Sequence, residues 1–227
     1  MKPDTATPPP PGARTARIPL WVKIAYSAFM AVLIPVYLSK YGPGNFIYFC
    51  DLALLLTLAG MWMESAALIS MCCVGILLPQ ALWCVDFIVE LFGGSLVGMT
   101  SYMFRPPAFL RALSFFHGWL PFLLIFLVRR TGYCPKALPR WTALAWAACL
   151  IAFFFIPGPV KDPAGDLSAR NVNFVFGFSE TTEQSLMPRE LFLVLYMAAL
   201  AVVVYWPTHL LLKRFITPAG KPPGVLS

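Results

Sequence analysis

The chain has 227 residues, 59% of them hydrophobic and 12% charged, with a mean hydropathy of +0.73 and a formal net charge of +7. Soluble domains carry about 25% charged residues, and so few polar groups cannot cover a water-facing surface of this much apolar area, which excludes an ordinary soluble domain. The basic residues sit at the ends of apolar runs, as in membrane proteins, so nucleic acid is excluded as the partner that positive charge would otherwise suggest.

Residues 1–17 are polar and proline-rich, with PPPPG at 8–12, and read as a disordered tail. The apolar run Ile18–Tyr41 follows without a small-residue cleavage motif, so it reads as an anchor and not as a removed signal peptide. It stops at Gly42-Pro43-Gly44. A second span is expected over Asn45–Met63, ended by Glu64, and a third over Ser65–Trp83 with Pro79 inside it. About 20 residues suffice to cross the hydrocarbon core. The stretch Cys84–Phe104 holds Asp86, Glu90 and Gly93-Gly94, and reads as a short re-entrant or interfacial piece, which is tolerated only when buried in protein. A fourth span is expected over Pro107–Val128, before Arg129-Arg130, and a fifth over Trp141–Ile156, closed by Pro157-Gly158-Pro159. A polar loop over 157–189 is long enough to suspect a function. The sixth span, Glu190–Leu212, ends at Lys213-Arg214, and 215–227 form a short tail. No internal repeat is visible. The expected fold is an all-α polytopic bundle of six transmembrane helices over 18–214.

Six spans put both ends on one side. That side then carries Lys2, Arg14, Arg17, Lys23, Arg129, Arg130, Lys136, Arg140, Lys213, Arg214 and Lys221, against Lys40, Arg105, Arg111, Lys161, Arg170 and Arg189 on the other. The bias predicts a cell-membrane protein with both termini in the cytoplasm.

Ionisable residues inside a membrane cost on the order of 3 kcal/mol on insertion scales and mark function by default. Cys50 and Asp51 lie near the outer end of the second span, Asp86 follows the third at its outer end, and His117 lies about ten residues into the fourth. At 1.5 Å per residue Cys50 is ~8 Å and His117 ~15 Å below the outer boundary, so all four fall in the same outer half. A thiol beside an imidazole is the minimum for nucleophilic acyl chemistry: the imidazole takes the thiol proton and a carboxylate, here Asp51 or Asp86, orients the ring. The plainer reading is that Cys50 packs as a small hydrophobe and that Asp86 and Glu90 mark the membrane boundary. Cys72, Cys73 and Cys149 read as core. The six cysteines show no CxxC and no metal-ligand spacing, so no metal is expected. Haem would need paired histidines at matching depth, and His209 lies near the opposite end; no cofactor is expected.

Five segments in chain order carry a family resemblance. NFIYFCDLALLLTLAG (45–60) resembles the second span of the YwaF-like bacterial integral membrane proteins, which are related to a eukaryotic transmembrane acyltransferase that loads polyunsaturated chains onto ether phospholipids. CCVGILLPQALWCVDF (72–87), FRPPAFLRALSFFHGWLPFLLIFLV (104–128), NFVFGFSE (173–180) and YWPTHLL (205–211) are similar to the family's later spans. The resemblance implies that Cys50 is the acyl-accepting nucleophile and His117 its general base. It also implies that Asn173, on the same outer side, donates to an oxyanion or a lipid head group. Tyr48 departs from the pattern: many members have His two residues before the Cys, and more distant ester hydrolases in related membrane folds pair a Thr with a His.

The leading expectation is a membrane lipid acyltransferase or acyl hydrolase using the Cys50–His117 pair, with phospholipid or lysolipid as its partner. A small-molecule or ion carrier and a non-catalytic scaffold or sensor stand as alternatives. The sequence leaves the lipid, the acyl acceptor and the oligomeric state open.

Overall fold

The computed structural model describes residues 18–94, 96, 100–104, 107–159, 171–179 and 182–219. The expected tail at 1–17, the end of the chain from 220 and the middle of the 157–189 loop lie outside them. Eight α-helices make up the described chain: α1 Leu20–Tyr41, α2 Phe49–Trp62, α3 Ala66–Leu91, α4 Ala108–Ser114, α5 Phe116–Thr131, α6 Ala137–Phe155, α7 Arg189–Ala199 and α8 Trp206–Phe215. Among the described residues there is no strand, only an isolated bridge between Tyr133 and Pro218. The protein is an all-α polytopic membrane protein. Five helical stretches are long and apolar enough to span a bilayer, with α4–α5 and α7–α8 each counting as one, and α2 is a shorter apolar helix.

The outward faces of these helices are apolar. Phe155 is 80% exposed, Trp21 71%, Phe122 70% and Val202 66%, a surface that lipid covers and water does not. The core lies between α1, α2, α3, α5 and α6, around Met30, Leu54, Met61, Ile69, Leu120, Leu124 and Trp141. Cys72 and Cys73 are buried there, their thiols donating weakly to the carbonyls of Ala53 and Leu124 at 3.5 and 3.6 Å, and Cys149 is buried in the second cluster. Gly75 on α3 lets Trp141 of α6 in: a Cβ at that position would lie 1.8 Å from the indole ring.

Two boundaries differ from the sequence reading. The helix expected to stop at Trp83 runs on to Leu91, so much of the stretch expected as a separate re-entrant or interfacial piece is the last two turns of α3. Asp86 is fully buried without breaking the helix, because its Oδ2 accepts from the Thr100 backbone N–H at 3.1 Å and from Thr100 Oγ1 at 3.2 Å. The last span holds a π-helical segment, Leu200–Tyr205, directly before Pro207. Proline lacks an N–H and its ring meets the carbonyl four residues back; a π segment widens the helix at that point.

Contacts fix which helix ends lie together. Lys23, near the start of α1, pairs with Glu64 in the α2–α3 turn at 2.8 Å. Ser70, near the start of α3, accepts from the Cys134 backbone N–H of the α5–α6 turn at 3.0 Å. Tyr133 in that turn exchanges backbone hydrogen bonds with Thr217 and Ala219 after α8. The start of α1, both turns and the end of α8 therefore share one end of the bundle. The Pro43–Ile47 3₁₀ turn and the Asn171–Ser179 segment share the other.

Candidate functional site

The site grows from the N-terminus of α2. Tyr48, its capping residue, offers no side-chain acceptor, so a first-turn amide would be left without a partner inside the membrane. Asn173 supplies one from 124 residues away: its Oδ1 accepts from Phe49 N at 3.0 Å, and its Nδ2 donates to Ile47 O at 2.9 Å. Asn173 has a left-handed backbone, φ 54°, as does Phe174, φ 58°. Asparagine tolerates that region better than most residues. The segment is braced by Asn171, which donates through Nδ2 to Gly177 O and Ser179 O at 2.7 and 2.9 Å and accepts from Phe176 N at 3.1 Å. Asn173, expected as an oxyanion or head-group donor, thus commits its amide to holding the turn that carries Cys50 and Asp51.

Asp51 is buried, 3% exposed. Its Oδ2 accepts from Asn45 Nδ2 at 2.8 Å, and its Oδ1 is buried with no hydrogen-bond partner among the described residues. The Tyr37 hydroxyl lies within electrostatic reach of both Asp51 and Cys50. That hydroxyl is 2.9 Å from Ser114 Oγ, at the end of α4 and three residues before His117.

His117 is held by α3. Gln80 Nε2 lies 2.8 Å from His117 Nδ1, and the Trp83 ring lies beside the imidazole at 5.1 Å. With the amide N–H donating to Nδ1, the ring proton sits on Nε2. Gln80 Oε1 is buried without a partner, so a half-turn of the amide would present an acceptor to Nδ1 and leave Nε2 as the basic nitrogen. Pro121 adds a local effect. It cannot donate to the carbonyl of His117, four residues back, and that carbonyl is 3.8 Å from the Cys84 thiol instead.

The structure therefore pairs Asp51 with Asn45, Tyr37 with Ser114 and His117 with Gln80, in the same half of the bundle. Cys50 is a free, half-buried cysteine at the same end. Of the two carboxylates expected to orient His117, Asp51 accepts from Asn45 and Asp86 from Thr100, and the amide beside His117 Nδ1 is that of Gln80. A glutamine in an apolar span is the signal in the sequence that points to this residue. His209 lies at the opposite end, where Tyr133 Oη is 2.6 Å from its Nδ1. Burial raises the Tyr133 phenol above its ordinary pKa and keeps it the donor. Among the described residues no three His, Cys, Asp or Glu side chains converge as metal ligands.

A hollow of about 360 Å³ opens beside the Asn171–Ser179 segment, lined by Phe153, Ile156, Phe176, Glu183, Arg189 and Glu190 among others. Glu183 pairs with Arg189, whose guanidinium lies 5.8 Å from the Phe176 ring centroid.

Comparison with protein-family models, curated proteins and solved structures finds no match to this chain.

Proposed function

We propose that this membrane protein transfers or hydrolyses the acyl chain of a lipid, with Cys50 as nucleophile and His117 as base. The observation that carries the reading is the buried Gln80–His117 pair, an imidazole held at one nitrogen in the half of the bundle that also holds Cys50. α2 and α5, which carry the two residues, both pack against α3, and the five-segment resemblance adds support. In the proposed step, with the Gln80 amide turned so that Oε1 accepts from Nδ1–H, His117 Nε2 takes the thiol proton as the sulfur attacks the ester carbonyl. The tetrahedral oxyanion collapses, the ester C–O bond breaks, and the same proton passes to the leaving lysolipid alkoxide. The thioester is then attacked by a lysolipid hydroxyl or by water, whose proton returns through His117 to the thiol. Cys50 and His117 share no hydrogen bond here; catalytic hydrogen bonds are commonly long until a substrate seats.

The test is acyl labelling of the full chain reconstituted with an alkyne-tagged phospholipid. A hydroxylamine-labile adduct on Cys50 is expected, absent in Cys50→Ala and formed about 10²- to 10⁴-fold more slowly in His117→Ala. Lipid turnover that survives Cys50→Ala unchanged would overturn the reading.

One observation favours a second reading, a small-molecule or cation carrier: the unpartnered Oδ1 of buried Asp51. Lone buried ionisable groups mark transport paths. Proteoliposome uptake that is lost in Asp51→Asn and intact in Cys50→Ala would favour it.

A further inference from the structure

We propose that the face of α5 bearing Phe122, Ile125, Phe126, Arg129 and Arg130 binds an anionic phospholipid, at a site separate from the polar group at the other end of the bundle. These residues fall at i, i+3, i+4, i+7 and i+8, so one side of the helix carries them in line. They flank a shallow, open groove of about 330 Å³ along this one helix. Toward mid-helix its wall is apolar, with Phe122 exposed and Ile125 and Phe126 half-buried. At its end two exposed guanidinium groups stand in the last turn.

Lys23 is neutralised by Glu64 at 2.8 Å, whereas Arg129 has no acidic partner among the described residues. Arg130 lies over the Phe126 ring at 5.1 Å, which fixes its guanidinium above the apolar wall. From Phe122 to Arg130 is ~12 Å along the helix. Apolar wall below and guanidinium at the boundary match a phospholipid in the same leaflet, acyl chain along the phenylalanines and phosphodiester on the arginines. Basic residues in a last turn also complement the helix dipole, but that role needs charge alone and no apolar groove beneath it.

The test uses the purified full chain in nanodiscs containing phosphatidylglycerol or phosphatidylcholine at equal mole fraction, with retained lipids counted by native mass spectrometry. The wild type is expected to retain phosphatidylglycerol preferentially, and the preference is expected to fall about fivefold for each guanidinium removed, in Arg129→Gln and in R129Q/R130Q. Equal retention of the two lipids by the wild type overturns the proposal. So does a preference that survives in R129Q/R130Q, or displacement of the lipid by inorganic phosphate, which would leave the acyl chain no part in binding. Should the double variant fail to fold, the wild-type lipid comparison and the phosphate displacement still decide.

Discussion

Asn173 and Asp51 sit at the same corner of the bundle with opposite hydrogen-bond states, and this separates support from chemistry. Both polar atoms of the Asn173 side chain have a backbone partner, the oxygen accepting from Phe49 N and the nitrogen donating to Ile47 O. Asn173→Ala strips a cap from a helix end inside the membrane, and a loss of about 1–2 kcal/mol is expected. Thermal unfolding in detergent checks it, and an unchanged midpoint would mean that the Asn171–Ser179 segment does not hold α2. Asp51 is half-used. A buried carboxylate with one orphan oxygen is costly, so Asp51→Asn is expected to leave the midpoint unchanged or to raise it by up to about 1–2 kcal/mol, while acyl labelling or uptake falls. A strongly lowered midpoint would make Asp51 a structural residue. Gln80 is a positioning residue acting through His117. Gln80→Leu is expected to slow acyl transfer on the order of 10- to 100-fold at constant midpoint, and Gln80→Glu, which accepts from Nδ1–H, is expected to restore most of the rate. A variant that merely damaged packing would not be rescued by Glu.

At the scale of elements, the tightest fit is α3 against α6. Trp141 is fully buried and its ring occupies the space that a side chain at residue 75 would need. Gly75→Ala is therefore expected to cost about 1–3 kcal/mol, and Trp141→Phe in the same chain is expected to recover part of it, since contacting residues couple; unfolding midpoints of the single and double variants measure the coupling. Such a fit was not legible in the sequence, where Gly75 is one small residue in an apolar run. Spans were legible because lipid imposes length and apolarity on a helix, and α1, α4–α5 and α6 fall close to their expected bounds. The end of α3 was misplaced because Asp86 and Glu90 look like a membrane boundary. Only a partner 14 residues away, Thr100, lets Asp86 stay buried in a helix. That Cys50, Asp51, His117 and Asn173 lie in one half of the bundle was legible, but not their pairings, which depend on helix rotation. Sequence spacing does not report which way a glutamine on α3 faces relative to a histidine on α5.

The molecule as a whole is shaped by one short member. α2 has 14 residues, ~21 Å of helix, against 22 in α1 and 26 in α3. The hydrocarbon core is ~30 Å thick, so α2 cannot cross it alone. The Pro43–Ile47 turn and the Asn173 brace complete the crossing at one end, which recesses Cys50 and Asp51 beneath the Asn171–Ser179 segment. With α2 counted, the chain crosses the bundle six times. That count follows from contacts: Lys23 with Glu64, Ser70 with Cys134, and Tyr133 with Thr217 and Ala219 all lie at one end. Epitope tags at the N- and C-termini are therefore expected on the same side of the membrane, and a tag inserted after Pro163 on the opposite side. Protease accessibility in intact and opened cells reads all three. The surplus of basic residues at the shared end predicts a cytoplasmic side there, so the two terminal tags are expected to become accessible only on opening. Termini on opposite sides would require an odd number of crossings, and a chain with that topology could not form the Lys23–Glu64 and Tyr133–Ala219 contacts within one bundle end.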